Sequence, residues 1–396
     1  MKHRRHFEFL ATLPLILVLF GATTVLAAVH CVNSSDASCT THEPTIQAAV
    51  TAAASGDIIL VGPGTYNEQV TITQDDLSLF GAQAGNDAQK GRGDAKKEST
   101  VNSANGAFVV NGNRVILDGF TIQGANDHQA IVGNKDGLKV FNNIIQENSG
   151  VNGMGLFTQG KSNLMVRRNL FRNETYGVFV ATTSNAIVSD NTFNGNNSSS
   201  FNAAAMVLNE TTSNIKVTNN QGDNNQTFIV IGPRTTNVEF SHNQGSHFSG
   251  SAVYVTGTND QLVISDNDLD QGAFRGIKFN QDFGPGTITH ATVSYNTIRH
   301  MGTFGIFVQN PTDTGSAMPT LSSSVIVGNT VSDSGIDGIF VDAGNSGNLL
   351  TQNTSRGNKG FDCHDASIGG GTSGTGNTWF SNIGKTSSPL GLCSSK

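Results

Sequence analysis

The sequence predicts an all-β fold: one parallel β-solenoid of about eleven coils, three short strands to a coil, closed at its N-terminus by a short helix. Three observations carry that expectation. The first is a recurrence of asparagine. Asn143, Asn169, Asn191, Asn220, Asn243, Asn267, Asn296, Asn329, Asn353 and Asn377 each follow a short apolar run, at gaps of 26, 22, 29, 23, 24, 29, 33, 24 and 24 residues. A spacing near 24 that absorbs insertions without losing phase marks stacked units, each of which buries its apolar side against its neighbour. The second lies within the repeat. Gly177-Val178-Phe179-Val180, Ala186-Ile187-Val188-Ser189 and Asn191-Thr192-Phe193 are three period-two, β-branched runs separated by Thr, Ser, Asn and Gly, and none is long enough for a helix. The third is composition: 42 Asn and 46 Gly against 8 Pro and one Trp in 396 residues, rich in bend formers and lean in helix formers.

The same three-run scheme returns at Ala252–Val255, Leu262–Ile264 and Asn267–Leu269, and at Gly338–Val341, Leu349–Leu350 and Asn353–Thr354. Three strands per turn make a triangular coil, and coils stack by parallel pairing about 4.8 Å apart, so the rung asparagines superimpose. These residues resemble the right-handed parallel β-helix, or pectin-lyase-like, family. There such an Asn occupies the tight bend between the second and third strands and its amide bonds along the stack. The resemblance implies a single-stranded right-handed parallel β-helix of three sheets with a short N-terminal capping helix. Asn suits the bend because it tolerates left-handed backbone, and a column of amides can donate and accept without end.

Three segments follow. Residues 1–27 carry Lys2, Arg4 and Arg5, then an apolar run, then Val25-Leu26-Ala27, the pattern of a secretory signal peptide. Residues 28–42 form a polar lead-in, and 43–393 the β-helix domain. A free, secreted chain with no membrane anchor after cleavage is expected, since the apolar run is too short to span a bilayer stably. The formal charge of −7 becomes −9 without Lys2, Arg4, Arg5 and Glu8. No basic stripe exists for a phosphate backbone, so nucleic acid is excluded as a partner. Four Cys in an exported chain imply two disulfides, with three connectivities. A stack of this size holds its ends about 50 Å apart, whereas bridged Cα atoms lie within about 7 Å. Pairing is therefore local: Cys31 with Cys39, and Cys363 with Cys393.

Along the chain, Ile46, Ala49, Val50 and Ala53 fall on one helical face after Pro44, a lid over the open end of the first coil. Gly64-Thr65-Tyr66-Asn67-Glu68 is similar to the Gly-x-Tyr-x-Glu pattern of pectin methylesterases. Their later motifs, Asp-Phe-Ile-Phe-Gly and Leu-Gly-Arg-Pro-Trp, are missing, so the esterase activity is not carried over. Residues 82–99 read as a mobile surface loop holding Arg92-Gly93-Asp94, a tripeptide that adhesion receptors read and that chance readily supplies. Three coils are over-long, at Asn194–Phe201 before a first strand and at Gln281–His290 and Asn310–Ser323 after first strands. Such loops would wall a groove over the first sheet. Trp379, in the closing segment, plugs the far end.

With Val178 and Val180 inward, alternation puts Phe157, Phe179, Val207, Ile229, Tyr254, Lys278, Phe307 and Phe340 in one outward column. Beside it run Gln159, Ala181, Asn209, Ile231, Thr256, Asn280, Gln309 and Asp342. Rings beside amides suit a sugar polymer, and the resembled family commonly holds polysaccharide on this sheet. Substrate-binding candidates are therefore Phe179, Tyr254, Asn280, Phe307, Gln309, Phe340 and Asp342; the competing readings are that the loops simply cover the row, or that the register is shifted by one, which would swap every face. Lyases of this fold combine Arg or Lys as base with acidic residues or Ca²⁺, which implies Arg275, Lys278 and Asp282 as catalytic residues. Arg275-Gly276-Ile277-Lys278 is similar to the Arg-Ile-Lys of polygalacturonases but carries an inserted Gly and lacks their carboxylate pairs, which a hydrolase needs. Asp362-Cys363-His364-Asp365 resembles the Asp-Pro-His-acid motif of mannuronan epimerases, with Cys for Pro, and is read as end cap. The sequence requires no cofactor and specifies no metal ligands, although Ca²⁺ is compatible with the resemblance. The Asp266–Asp270 run is read as a solvated acidic edge. Two functions remain: a secreted protein that binds an extracellular acidic polysaccharide and cleaves it by β-elimination, or a non-catalytic surface or matrix protein.

Overall fold

The computed structural model describes residues 27–197 and 203–395. The signal segment before Ala27 and part of the Asn194–Phe201 insertion lie outside the described residues. Among those described, there is one α-helix, Ile46–Ala52, and every paired strand runs parallel to its neighbours in three sheets of 13, 17 and 12 strands. This is the single-stranded right-handed parallel β-helix that the sequence predicts, with one or two more levels than expected. The first sheet includes Tyr176–Ala181, Val253–Thr256 and Ile277–Asn280, the second Ser184–Ser189, and the third Thr192–Asn194.

Between second and third sheets the rung asparagines form one buried ladder. Each amide nitrogen donates to the carbonyl oxygen of the next, at 3.2 Å from Asn143 to Asn169 and at about 3.0 Å onward through Asn220, Asn243, Asn296 and Asn329. Two details differ from expectation. The ladder ends Asn353 to Asn382, 29 residues on, whereas Asn377 pairs with Asn348 at a different corner, ahead of the second-sheet strands. The left-handed residue of the bend is also not the rung Asn but the residue before it, among them Asn142, Arg168, Asp190, Asn219, His242 and Asp266. A left-handed L-residue costs about 1–2 kcal/mol. The rung that follows outweighs it, because Asn243 alone donates to Val217 O, Ser241 O and Asn267 Oδ1 and accepts from Asn220, each bond contributing roughly 0.5–1.5 kcal/mol.

Inward-facing residues fill the triangle with rings and branched chains: Phe171 stacks on Phe193 at 5.0 Å, and Phe228 on Phe248 at 6.0 Å. Gly222 and Gly245 occupy inward positions of the third sheet where a Cβ would meet the Phe228 and Phe248 rings at 2.8 Å and 2.5 Å. At the N-terminal end, Ile46, Ala49 and Val50 seal the first coil. Glu68 accepts from Ile46 N and Gln47 N at 3.0 and 2.9 Å, and Tyr66 Oη donates to Gly62 O at 2.8 Å. The Gly64–Glu68 motif thus anchors the lid. Segment 28–42 is more than a lead-in: Val29–Val32 pairs with both Thr41–Glu43 and Ile58–Val61. The disulfides are Cys31–Cys39 and Cys363–Cys393, with Cα atoms 5.7 and 6.2 Å apart. Trp379 is buried and its indole donates to Asp365 Oδ2 at 2.7 Å.

Residues 82–99 are anchored rather than free. Arg92 is enclosed with the buried Glu98 and donates to Asn142 O, while Gln89 donates to Asp190 O. The Arg92 side chain is thereby turned into the protein, and the Arg92-Gly93-Asp94 tripeptide is not displayed as a receptor would read it.

A second, shorter ladder joins the third sheet to the first: Asn148 donates to Glu174 Oε1 at 3.0 Å, Glu174 N to Asn196, and Asn196 to Asn225. A carboxyl here replaces an amide. Glu174 is 1% exposed, and burial pushes its pKa well above the usual carboxylate range despite the bonds from Asn148. The native state therefore retains a proton that the unfolded chain releases near pH 4.3, so this group's contribution is full below that pH and declines as pH rises toward the native pKa. Glu174→Gln is expected to gain stability over the natural protein progressively above about pH 5, measured as urea midpoints across pH. A pH-independent difference would contradict a protonated Glu174.

Candidate active site

The outer face of the first sheet carries a trough of about 420 Å³. Its floor is the outward column Phe179, Val207, Val230, Tyr254 and Lys278, one residue per level in strict register. Val230 and Gly232 take the places expected for Ile229 and Ile231, which face the core: Phe228 and Ile229 are both inward, as Gly177-Val178 and Ala205-Met206 are at the levels before, so the outward positions fall one residue later than expected. Tyr176, Gln226, Ser251, Phe274 and Phe283 complete the walls.

At one end stands a polar cluster built on Ile277–Asn280 and the long loop after it. Three donors converge on Asp282 Oδ2: Tyr254 Oη at 2.6 Å, Lys278 Nζ at 3.1 Å and Asn280 Nδ2 at 2.5 Å. Lys278 is only 8% exposed and its ammonium lies 4.9 Å from the Tyr254 ring centroid. Burial lowers the Lys278 pKa, with Asp282 opposing; burial, reinforced by Asp282, raises that of Tyr254, so the phenol stays protonated. Arg275 projects from the preceding bend between Phe274 and Phe307, 5.7 and 5.4 Å from their centroids. Among the described residues no carboxylate lies within 4 Å of its guanidinium, its buried Nε has no partner, and burial lowers its pKa.

Arg275, Lys278, Tyr254 and Phe179 therefore line one trough built from five levels of the stack, and Asp282 is tied to it through Tyr254 and Lys278. Asn280 is fully buried and acts on Asp282 from beneath instead of facing a ligand. Phe307 is 7% exposed because Arg275 and Phe304 cover it. Gln309, Phe340 and Asp342 lie one and two levels beyond the trough; Phe340 stacks on His364 at 4.3 Å. Of the long loops, Gln281–His290 supplies Phe283, edge-on to Tyr254 at 6.1 Å. Asn310–Ser323 packs behind it, with Met318 O accepting from Gln281. Phe274, Phe283, Tyr176 and Gln226 were not foreseen. Gln226, Phe274 and Phe283 sit in bends, where period-two alternation gives no direction, and Tyr176 opens its strand ahead of the inward pair Gly177-Val178, which breaks the alternation; the only signal was the length of the loop holding Phe283.

In the closing coil, Asp362 accepts from Lys385 N and Asn358, Asp365 from Ser367 and Trp379, and His364 meets Asp337 at 2.8 Å, all end-cap contacts. For Ca²⁺, no three His, Cys, Asp or Glu side chains converge among the described residues. In the acidic run, Asp268 and Asp270 both meet Arg299, at 2.7 and 3.4 Å, and Asp266 occupies a left-handed corner.

The family model described as a right handed beta helix region matches residues 86–222 and 222–354. No curated protein matches the chain in sequence. Among solved structures, the chain is similar to the catalytic unit of a GH87 alpha-1,3-glucanase from Streptomyces thermodiastaticus, at 15% identity and TM-score 0.53, covering 87% of this chain and 67% of that one. It is also similar to DFA-IIIase from Arthrobacter chlorophenolicus, at 12% identity and TM-score 0.50, over 74% and 83% of the chains. A third likeness is to an exopolygalacturonase from Thermotoga maritima, at 8% identity and TM-score 0.49, over 78% and 83%. Identities this low speak to the fold alone. The class is that of parallel β-solenoids with a ligand-sized trough on one sheet. The chain belongs to the right-handed β-helix family.

Removing Asp282 leaves Lys278 buried without its counter-charge. Because Asp282 is 37% exposed, Asp282→Ala is expected to destabilise by about 1–3 kcal/mol, less than the 3–5 of a fully enclosed pair. Lys278→Met in that background should recover most of the loss. Denaturant midpoints measure both, and an unchanged midpoint in Asp282→Ala would contradict the assigned pairing.

Proposed function

We propose that the chain is an exported protein that binds an extracellular acidic polysaccharide in the trough and cleaves it by β-elimination beside Arg275, Lys278 and Asp282. The observation that carries this reading is a cationic, ring-lined trough on a chain of net charge −7: at its end Lys278 is paired with Asp282, and Arg275 stands beside it with no ion-pair partner of its own among the described residues. Export is supported by two disulfides, which persist in oxidising compartments, and by the signal-like residues 1–27.

The chemistry follows from the chain's own groups. Arg275, free of ion pairs, takes the uronate carboxylate; neutralising it stabilises the charge that develops on the adjacent carbon as its proton leaves. Lys278, whose neutral form burial favours, accepts that proton. The released electron pair becomes the new carbon–carbon double bond and expels the glycosidic oxygen from the neighbouring carbon. Tyr254, still protonated, returns a proton to that oxygen and regains one from solvent. Asp282 and Asn280 position Lys278 and Tyr254. Phe179 and Tyr254 offer ring faces to the sugars. One observation favours a binding-only surface protein instead: Lys278 Nζ is held by Asp282 at 3.1 Å.

The test is incubation of the secreted protein with a panel of polyuronates, following absorbance of unsaturated product. Cleavage is expected to rise with pH as Lys278 loses its proton, and Lys278→Ala and Arg275→Ala should each lower it by roughly 10²–10⁴-fold. Product unaffected by both changes would remove the site assignment. Retention on a polysaccharide column without product, lost in Phe179→Ala and Tyr254→Ala, would favour the binding-only protein.

A further inference from the structure

The trough differs from an open cleft in its floor and at its end. Val207 and Val230 occupy two successive levels of a column that elsewhere carries Phe179, Tyr254 and Lys278. The small side chains lower the floor between ring-bearing levels, and Gly232 and Gly250 keep the flanks low beside them. Beyond Lys278 the path along the stack is stopped. The Arg275 guanidinium lies over the Phe307 ring, and Phe304 stacks on the same ring at 4.7 Å with planes 14° apart. Phe340 packs on both rings at 5.5 and 5.6 Å. The hollow is thus blind at Arg275, and its volume is that of a pocket enclosing a compact ligand. Two of the residues lining it have a buried polar atom without a partner: Arg275 Nε, a donor, and Gln226 Oε1, an acceptor. An anionic oxygen at the first and a hydroxyl at the second would satisfy them.

We infer that the hollow receives the end of an acidic glycan chain, its terminal carboxylate against Arg275 and the remainder leaving toward Phe179, and that polymer does not pass through it. This deepens the polysaccharide reading and rests on it. Arg275 both stops the chain and neutralises its last acidic group, so any reaction at Lys278 would act near a terminus.

Linear oligouronates of increasing defined length, titrated calorimetrically into the secreted protein, test the inference. End recognition predicts one protein bound per chain at every length, with a per-chain affinity that levels off after a few units. It also predicts that capping one terminus chemically abolishes binding while capping the other does not. Phe304→Ala with Phe307→Ala, which opens the stop, should let several copies load on one long chain; should that variant not fold, the natural protein's stoichiometry decides alone. Copies per chain that grow with length in the natural protein would overturn end recognition and leave polysaccharide binding standing. No binding at any length would overturn both.

Discussion

A buried amide that must bond upward and downward is the constraint on which this molecule depends. From Asn143 to Asn382 each rung gives its Nδ2 to the next Oδ1, with spacings of 2.9–3.2 Å throughout. A polar group without water is expensive to leave unpaired, so a coil cannot slip by a residue without stranding two rungs. Length variation is therefore forced to the other corners. The insertions at 281–290 and 310–323 lie at the ends of first-sheet strands, where they change the surface and leave the stack in phase.

In-phase coils turn distant residues into neighbours, and the trough is the result. Phe179, Tyr254 and Lys278 share one face only because three strands on separate coils keep one register. What each level contributes is local: two valines make the hollow, a long loop brings Asp282 and Phe283, and a bend aims Arg275 at Phe307. Asp282 then opposes the lowering of the Lys278 pKa by burial, and adds to burial in raising that of Tyr254. A rigid floor with its chemistry in adjoining bends is a common division of labour between scaffold and site.

Much of this was legible in sequence, and the gaps have physical causes. The solenoid and most of the outward column follow from period-two runs and one recurring Asn, the lid helix from the helical spacing of Ile46, Ala49, Val50 and Ala53, and the disulfide pairs from four Cys at the two ends of a long stack. The last rung was misassigned because Asn377 and Asn382 both stand in the closing coil, and spacing alone cannot say which corner each one turns. The second ladder went unseen because Glu174 interrupts its amides. Alternation named Lys278 and Tyr254 correctly but could not show that Phe307 and Asn280 are covered, since coverage comes from Arg275, Phe304 and Asp282 in neighbouring bends. The loop at 82–99 looked mobile by composition, yet Arg92 finds Glu98, a pairing that local sequence does not announce.

The most direct measurement is a distance between spin labels on Asn185→Cys and Gln261→Cys, exposed corner residues separated by the 194–201 insertion. Strand registers place them three levels apart, through Asn214 and Asn237. Coils locked in phase give a narrow distribution with Cα atoms about 14 Å apart, before label length is added. A broad distribution, or one displaced by a level or more, would contradict the amide-fixed stack and with it the trough.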